Sequence, residues 1–417
     1  MNPFLQRASL LLEQNRIDLA IKELHQALAQ DPEDPSVHAL LAICYADQNK
    51  HEAALDEAHQ AIFHAPDQPF PQYALAKVYA EANKFKEAQQ AIDAALAMDP
   101  ADPDYWFMRS AILYNQRRWK DALEAANTAL SFDAEHIAAN NLRASALVQL
   151  NEREAAGRTL DGNLQRDPEN AWTHANKGWS LLDGGDHKEA LESFREALRL
   201  EPDNAYAKSG VVEALKAKNP IYRLLLKYFL WMGKLSQKHG LMVILGLYFG
   251  YRLLLVVTNR APSLQVLTLP ITIVYIVFAY FTWTAMPIFN LLLRLNAYGR
   301  HALSRDQIVA SNWVGLSLLL GFLLVIAGFL NAQINLILYG MAFGVLVIPI
   351  AGSFNCDRRG KAHKILLGFT GILLLVATAS YAYSFLPSTQ SRSLASIFGL
   401  GIFAYSWVAG FIIMRWG

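Results

Sequence analysis

Cysteine is nearly absent from this chain, and carboxylate is nearly absent from its second half. Only Cys44 and Cys356 occur in 417 residues, one in each half, which excludes a disulfide framework. From Asn219 to Gly417 the acidic residues are Asp306 and Asp357, against 15 Lys and Arg, a net charge of +13. Residues 1–218 carry 34 acidic against 22 basic residues, net −12, and contain no long apolar run. Such a division excludes a single globular enzyme domain, because the second half has apolar stretches that no soluble fold requires. The first residues, Met1-Asn-Pro-Phe-Leu-Gln-Arg, lack the basic start and apolar core of a secretory signal, so the first half is expected to stay on the side where it is made.

Chemical motifs are equally scarce. The sequence has no Walker loop, GxGxxG or GxSxG. His51, His59 and His64 are spaced eight and five residues apart, neither of them a metal pair, and His51-Glu-Ala-Ala-Leu lacks the second histidine of a zincin. No metal site, no cofactor and no enzymatic activity are therefore expected. Cys356 stands among cations in FNCDRRGKAHK, which lower a thiol pKa, but a lone loop thiol is read as incidental.

A 34-residue repeat is what the first half does have. Pro32, Pro66, Pro100, Pro168 and Pro202 fall on one grid, with Ala134 at the remaining node. The copies run 1–34, 35–68, 69–102, 103–136, 137–170 and 171–204. Their eighth residues are Ala8, Ala42, Ala76, Ser110, Ala144 and Gly178; their twentieth are Ala20, Ala54, Ala88, Ala122, Ala156 and Ala190. The twenty-seventh is Ala in five copies and Asn163 in the other, always followed by a large apolar residue, Leu28 to Leu198. Small residues at these places suit two helices of a hairpin that approach closely.

A helix–turn–helix of this length with these small positions and a Pro after the second helix resembles the tetratricopeptide repeat. Copy six, Ala171 to Asn204, matches best, and copy five, with Gly157 and Asn163 in its second helix, matches least. The fold class expected is all-α: a six-copy solenoid over 1–204, because a lone hairpin cannot bury its apolar face. Residues 205–218 are expected to form a capping helix, ended by Pro220. The resemblance implies that the first helix of each copy lines a groove for a protein or peptide partner. On those positions stand Phe70, Tyr73, Lys77, Phe107, Tyr114, Asn141, Trp172 and Trp179, and six of them are aromatic anchors. The alternative for each ring is packing against a neighbouring copy. The spaced Lys, Asn and Arg that grip acidic tails in some relatives are not reproduced, and the net charge disfavours nucleic acid.

From Gly240 the sequence offers apolar stretches of about 19–23 residues, enough to cross ~30 Å of hydrocarbon as helix: 240–258, 264–286, 312–331, 334–352, 365–386 and 393–414. The flank 219–239, the loops 287–311 and 353–364 and the tail carry twelve Lys and Arg, while the opposite side has Arg260 and Arg392. This bias places the repeats and the C-terminus in the cytoplasm, and a bacterial cytoplasmic membrane is the expected location. Within the spans Arg252 is the one charge, read as snorkelling outward. Residues 219–239 gather Arg223, Lys227, Lys234 and Lys238 on one face of a helix with an aromatic belt, suited to anionic lipid. Together these features imply a membrane-anchored interaction scaffold; the alternative is a small transporter, channel or lipid-handling bundle regulated by its repeats.

Overall fold

The computed structural model describes residues 2–235, 237–260, 265–294, 303–354, 356, 360–383 and 390–416. Every regular element among them is a helix. The chain divides into two compact units: Met1–Ala207 with Trp231–Gly240, and Lys208–Leu230 with Leu241–Gly417.

The first unit contains six helical hairpins that keep the 34-residue register: Pro3–Glu13 with Ile17–Gln30, Pro35–Asp47 with His51–His64, Pro69–Glu81 with Phe85–Met98, Pro103–Asn115 with Trp119–Phe132, Ile137–Gln149 with Arg153–Arg166, and Ala171–Gly184 with His187–Leu200. First helices begin where a proline or a polar cap supplies what helix ends lack. Asp34 accepts from the amides of Ser36 and Val37, Asp102 from Asp104 and Asn170 from Thr173, and Pro35, Pro69 and Pro103 need no amide partner.

Each first helix ends in the same way. Its fifteenth repeat position is left-handed: Asn15, Asn49, Asn83, Arg117 and Asn151 have φ between 56° and 65°, and Gly185 has φ 100°. The next amide then reaches back five residues, as from Arg16 to the Leu11 carbonyl at 2.8 Å and from Glu152 to that of Leu147 at 2.8 Å. This closure satisfies carbonyls that a helix end would leave bare, and Gly and Asn reach it at least cost.

The hairpins meet on their small residues. The alanines of the eighth, twentieth and twenty-seventh positions are all fully buried. The exceptions are compensated locally: the buried Ser110 hydroxyl donates to the Ala122 carbonyl at 2.6 Å, and Asn163 donates to the Asn141 side chain at 3.3 Å. At Gly178 the reason is steric. A methyl there would lie 2.6 Å from the ring of Phe194, where the other copies carry Leu24, Ala58, Ile92, Ala126 and Leu160.

Helix Ala205–Lys216 is divided between the units. Through Ala207 it packs with the repeats, Tyr206 stacking on Trp172 at 5.9 Å, whereas from Lys208 it belongs to the second unit. The expected cap thus contributes only its first turn to the solenoid. In the second unit, Glu213 pairs with Lys216 at 3.0 Å and accepts the Tyr222 hydroxyl, while the Met286 sulfur lies 3.6 Å from the Lys216 ammonium. The Lys216 side chain is 1% exposed and that of Glu213 12%. Burial holds the Lys216 ammonium below its usual pKa despite Glu213, and burial together with Glu213 pushes the Tyr222 phenol upward.

Among the described residues six long helices follow, Gln237–Arg260, Gln265–Arg294, Arg305–Leu330, Ile334–Ser353, Lys361–Tyr383 and Gln390–Trp416. Arg305–Leu330, Ile334–Ser353 and Lys361–Tyr383 are long and apolar enough to cross a membrane, with mean hydropathies of 2.4, 2.2 and 2.0. Thr268–Thr282 and Thr284–Arg294 pass that test only as a pair, bent by 71°. In Gln237–Arg260 the described apolar stretch, Leu245–Thr258, is shorter than a span. Arg305–Leu330 and Ile334–Ser353 cross at glycine: a methyl at Gly321 would lie 2.7 Å from the Gly340 carbonyl, and one at Gly340 2.7 Å from that of Gly321. Such backbone contact is the usual means of packing helices that have no hydrophobic drive toward each other. Tyr405 closes the far end, donating to the Pro349 carbonyl at 2.8 Å. Arg300, His301, Asp357, Arg358 and Arg359 lie outside the described residues, as do the side chains of Lys238, Arg392 and Arg415.

Two stability tests follow from this packing. Gly178→Ala is expected to cost about 1–3 kcal/mol in overpacking, against roughly 1 kcal/mol gained in helix propensity; adding Phe194→Leu should restore the melting temperature. Glu213→Gln leaves a buried ammonium without its counter-charge and should cost about 3–5 kcal/mol. Glu213→Gln combined with Lys216→Met should recover most of that loss in a thermal melt of the detergent-solubilised protein.

Candidate partner-binding surface

Five of the eight positions implied to line the groove, Phe70, Tyr73, Tyr114, Trp172 and Trp179, fall in three aromatic clusters. Tyr73 lies between Phe70, 6.1 Å away, and Tyr105 of the next copy, 5.3 Å away. Burial, reinforced by Asp104 and Asp102, pushes its phenol up to about 12, so it stays neutral at any physiological pH. Tyr114 packs edge-on against Trp119 at 4.9 Å and accepts from the Gln149 amide of copy five at 3.3 Å. Trp179 touches both Phe194 and Tyr206 at 5.5 Å and donates its indole proton to the Tyr206 carbonyl at 3.3 Å. These rings therefore hold copies together as well as facing outward.

The remaining members differ in availability. Phe107 is half-buried beside His136, at 5.4 Å. Asp104 accepts from that imidazole at 3.0 Å, holding His136 above its usual pKa and its own carboxyl below. Lys77 is paired with Asp47 at 3.1 Å, and Asn141 is buried and occupied by Asn163. Trp172 is the exposed ring of the set, 53% accessible, with one face on Tyr206.

The basic face of 219–239 is also divided. Helix Pro220–Lys234 buries Tyr222, Leu225 and Leu226. Lys227 is exposed, and Arg223 donates to the Ala217 carbonyl at 3.0 Å. The Lys234 side chain is only 9% exposed and pairs with Asp183 at 2.8 Å, so it does not face solvent as a lipid-contact residue would.

Sequence reasoning did not single out the residues around Lys234 and Leu235: Trp119, Asn151 and Asp183 bond Lys234, Arg117 bonds the Leu235 carbonyl, and Arg153 braces Asp183. A signal was present, because Arg117 interrupts a column otherwise made of Asn and Gly. Its neighbour Trp119 falls on a position occupied by Ile17, His51, Phe85, Arg153 and His187 in the other copies.

Two tetratricopeptide-repeat family profiles match the chain, one over residues 5–69 and 73–141 and the other over 171–204. The first half is thus a solenoid of tetratricopeptide repeats. Among solved structures it is similar to YrrB, described as a TPR protein with an unusual peptide-binding site, at 21% identity over 44% of this chain and 95% of that one, TM-score 0.33. It is also similar to pilF of Pseudomonas aeruginosa, at 18% over 49% and 94%, TM-score 0.39. TTC0263, a thermophilic TPR protein of Thermus thermophilus, matches at 18% over 43% and 98%, TM-score 0.41. At these identities the likeness extends to the fold alone. No curated protein matches the chain.

Proposed function

We propose that this protein is a membrane-anchored, non-enzymatic scaffold whose tetratricopeptide solenoid recruits a protein or peptide partner to a bacterial cytoplasmic membrane. The observation that carries this reading is the covalent union of six complete repeats with helices long and apolar enough to span a bilayer. The outward faces of those helices bear large apolar side chains, such as Phe322 at 63% and Leu375 at 70% exposure, which water does not favour and lipid does. The proposal keeps six crossings, drawn from the six apolar stretches of sequence, and the twelve-to-two distribution of Lys and Arg supports repeats and C-terminus on the cytoplasmic side. The groove is assigned to Phe70, Tyr73, Lys77, Phe107, Tyr114, Asn141, Trp172 and Trp179, with Trp172 as its leading contact. Lys227 is the residue of the 219–239 face best placed for anionic headgroups.

One observation favours the alternative, a bundle that handles a solute or lipid. The Asn290 side-chain oxygen, in helix Gln265–Arg294, is buried without a hydrogen-bond partner among the described residues, the kind of polar group a translocation path uses. Flux through liposomes holding the purified protein, compared with its Asn290→Leu variant, separates the two roles.

Crosslinking and pull-down from native membranes tests the scaffold. Trp172→Ser should reduce recovery of the partner at least tenfold while moving the melting temperature by no more than about 2 °C. Trp179→Ser, by contrast, should lower the melting temperature, because its ring is shared with Phe194 and Tyr206. Undiminished capture by Trp172→Ser would remove the anchor from the proposal. Topology is checked at Cys356: an impermeant thiol reagent should label it in permeabilised cells and leave it unlabelled in intact ones.

A further inference from the structure

Helix Pro220–Lys234 is closed in part locally, the Leu235 amide donating to the Met232 carbonyl at 3.2 Å. Its remaining terminal carbonyls have no intrahelical donors, as at any helix C-terminus. Two of the donors they need come from the repeats. The Trp119 indole donates to the Lys234 carbonyl at 2.8 Å, and the Arg117 guanidinium donates to the Leu235 carbonyl at 3.0 Å. The Lys234 ammonium donates to the Asn151 side chain at 2.9 Å and to the Asp183 carboxylate at 2.8 Å. Arg153 braces that carboxylate at 2.9 Å and also donates to the Asp183 carbonyl. All of these residues, with Trp231–Gly240, lie in the first unit.

We propose that the turn edge of copies four to six is a docking site for a lysine-ending helix C-terminus, occupied by the chain's own segment Trp231–Leu235. Three features make it a built site rather than a chance contact. Arg117 and Asn151 hold the same repeat position in adjacent copies, and Trp119 and Arg153 hold another shared position, so the repeat itself sets their spacing. Arg117 adopts φ 60° where the other copies use Asn or Gly. A long side chain there accepts a left-handed backbone that Asn or Gly would tolerate better, and Arg117 is the left-handed residue that reaches Leu235. Its positive charge also suits the negative end of the helix dipole. Finally, Lys234 and Asp183 form a pair with side chains 9% and 6% exposed, and loss of either member leaves the other buried in a poorer setting.

The occupied edge consists of the turns between paired helices, and it shares no residue with the eight groove positions. Docking of the segment therefore leaves those positions to a partner. It also adds to the solenoid a second stretch of chain, separated from Ala207 by residues 208–230.

Hydrogen exchange on the full-length protein in detergent tests the docking, read on peptides covering 231–240. Trp119→Phe keeps the ring but removes the indole donor, and Lys234→Met keeps the length but removes the charge. Each should speed exchange of 231–240 at least tenfold while peptides from 3–200 keep wild-type rates; Lys234→Arg should stay near wild type. Lys234 lies outside the repeats, so its variant reports even if Trp119→Phe loosens copy four. Wild-type exchange of 231–240 at the rate of unstructured chain overturns the docking site, as does unchanged protection in Lys234→Met.

Discussion

Two helices can approach closely only where neither presents a bulky side chain, and both halves of the chain depend on that constraint. In the repeats it is met at three positions per copy, with a buried alanine at fifteen of the eighteen places. In the C-terminal unit it is met by glycine, with Gly321 and Gly340 each bringing backbone against the other's carbonyl. The difference follows from the driving force. The repeats expel water from large apolar neighbours such as Leu24, Ile92 and Leu160. In the C-terminal helices the close approach itself supplies the contact, backbone meeting backbone at glycine.

Helix termini impose the second requirement. Six first helices close through the same left-handed residue, which satisfies their carbonyls locally. Helix Pro220–Lys234 also receives donors from far along the chain, the Trp119 indole and the Arg117 guanidinium. The departure of Arg117 from the Asn column and the support given to a helix end more than a hundred residues away are one arrangement seen from two ends.

Among the described residues, buried charge is used sparingly, and Asp183 and Lys216 are each paired. Asp183 answers Lys234 and Arg153, and Glu213 answers Lys216 and Tyr222. Isolated, any of these groups would carry a desolvation cost of several kcal/mol. They lie on either side of the boundary at Ala207, the region where repeat register gives way to irregular sequence and where polar side chains rather than small ones specify the contacts.

Local chemistry made the repeats legible. The proline grid and the columns of alanine report a contact made within every copy, so the same residue type recurs every 34 positions, and the hairpins fall in that register. Charge segregation and apolar runs similarly marked the second half, because avoidance of buried carboxylates leaves a compositional trace; three of its helices meet the length and hydropathy of a span, a fourth only as a bent pair. Tertiary structure alone decided the contacts made once. It placed Tyr73, Tyr114 and Trp179 between helices and copies while leaving Trp172 exposed, turned Lys234 inward to Asp183, and gave most of the expected cap helix to the second unit. A contact between residues far apart in sequence has no period, and an aromatic ring or a lysine is the same letter whether it meets a neighbour or a partner.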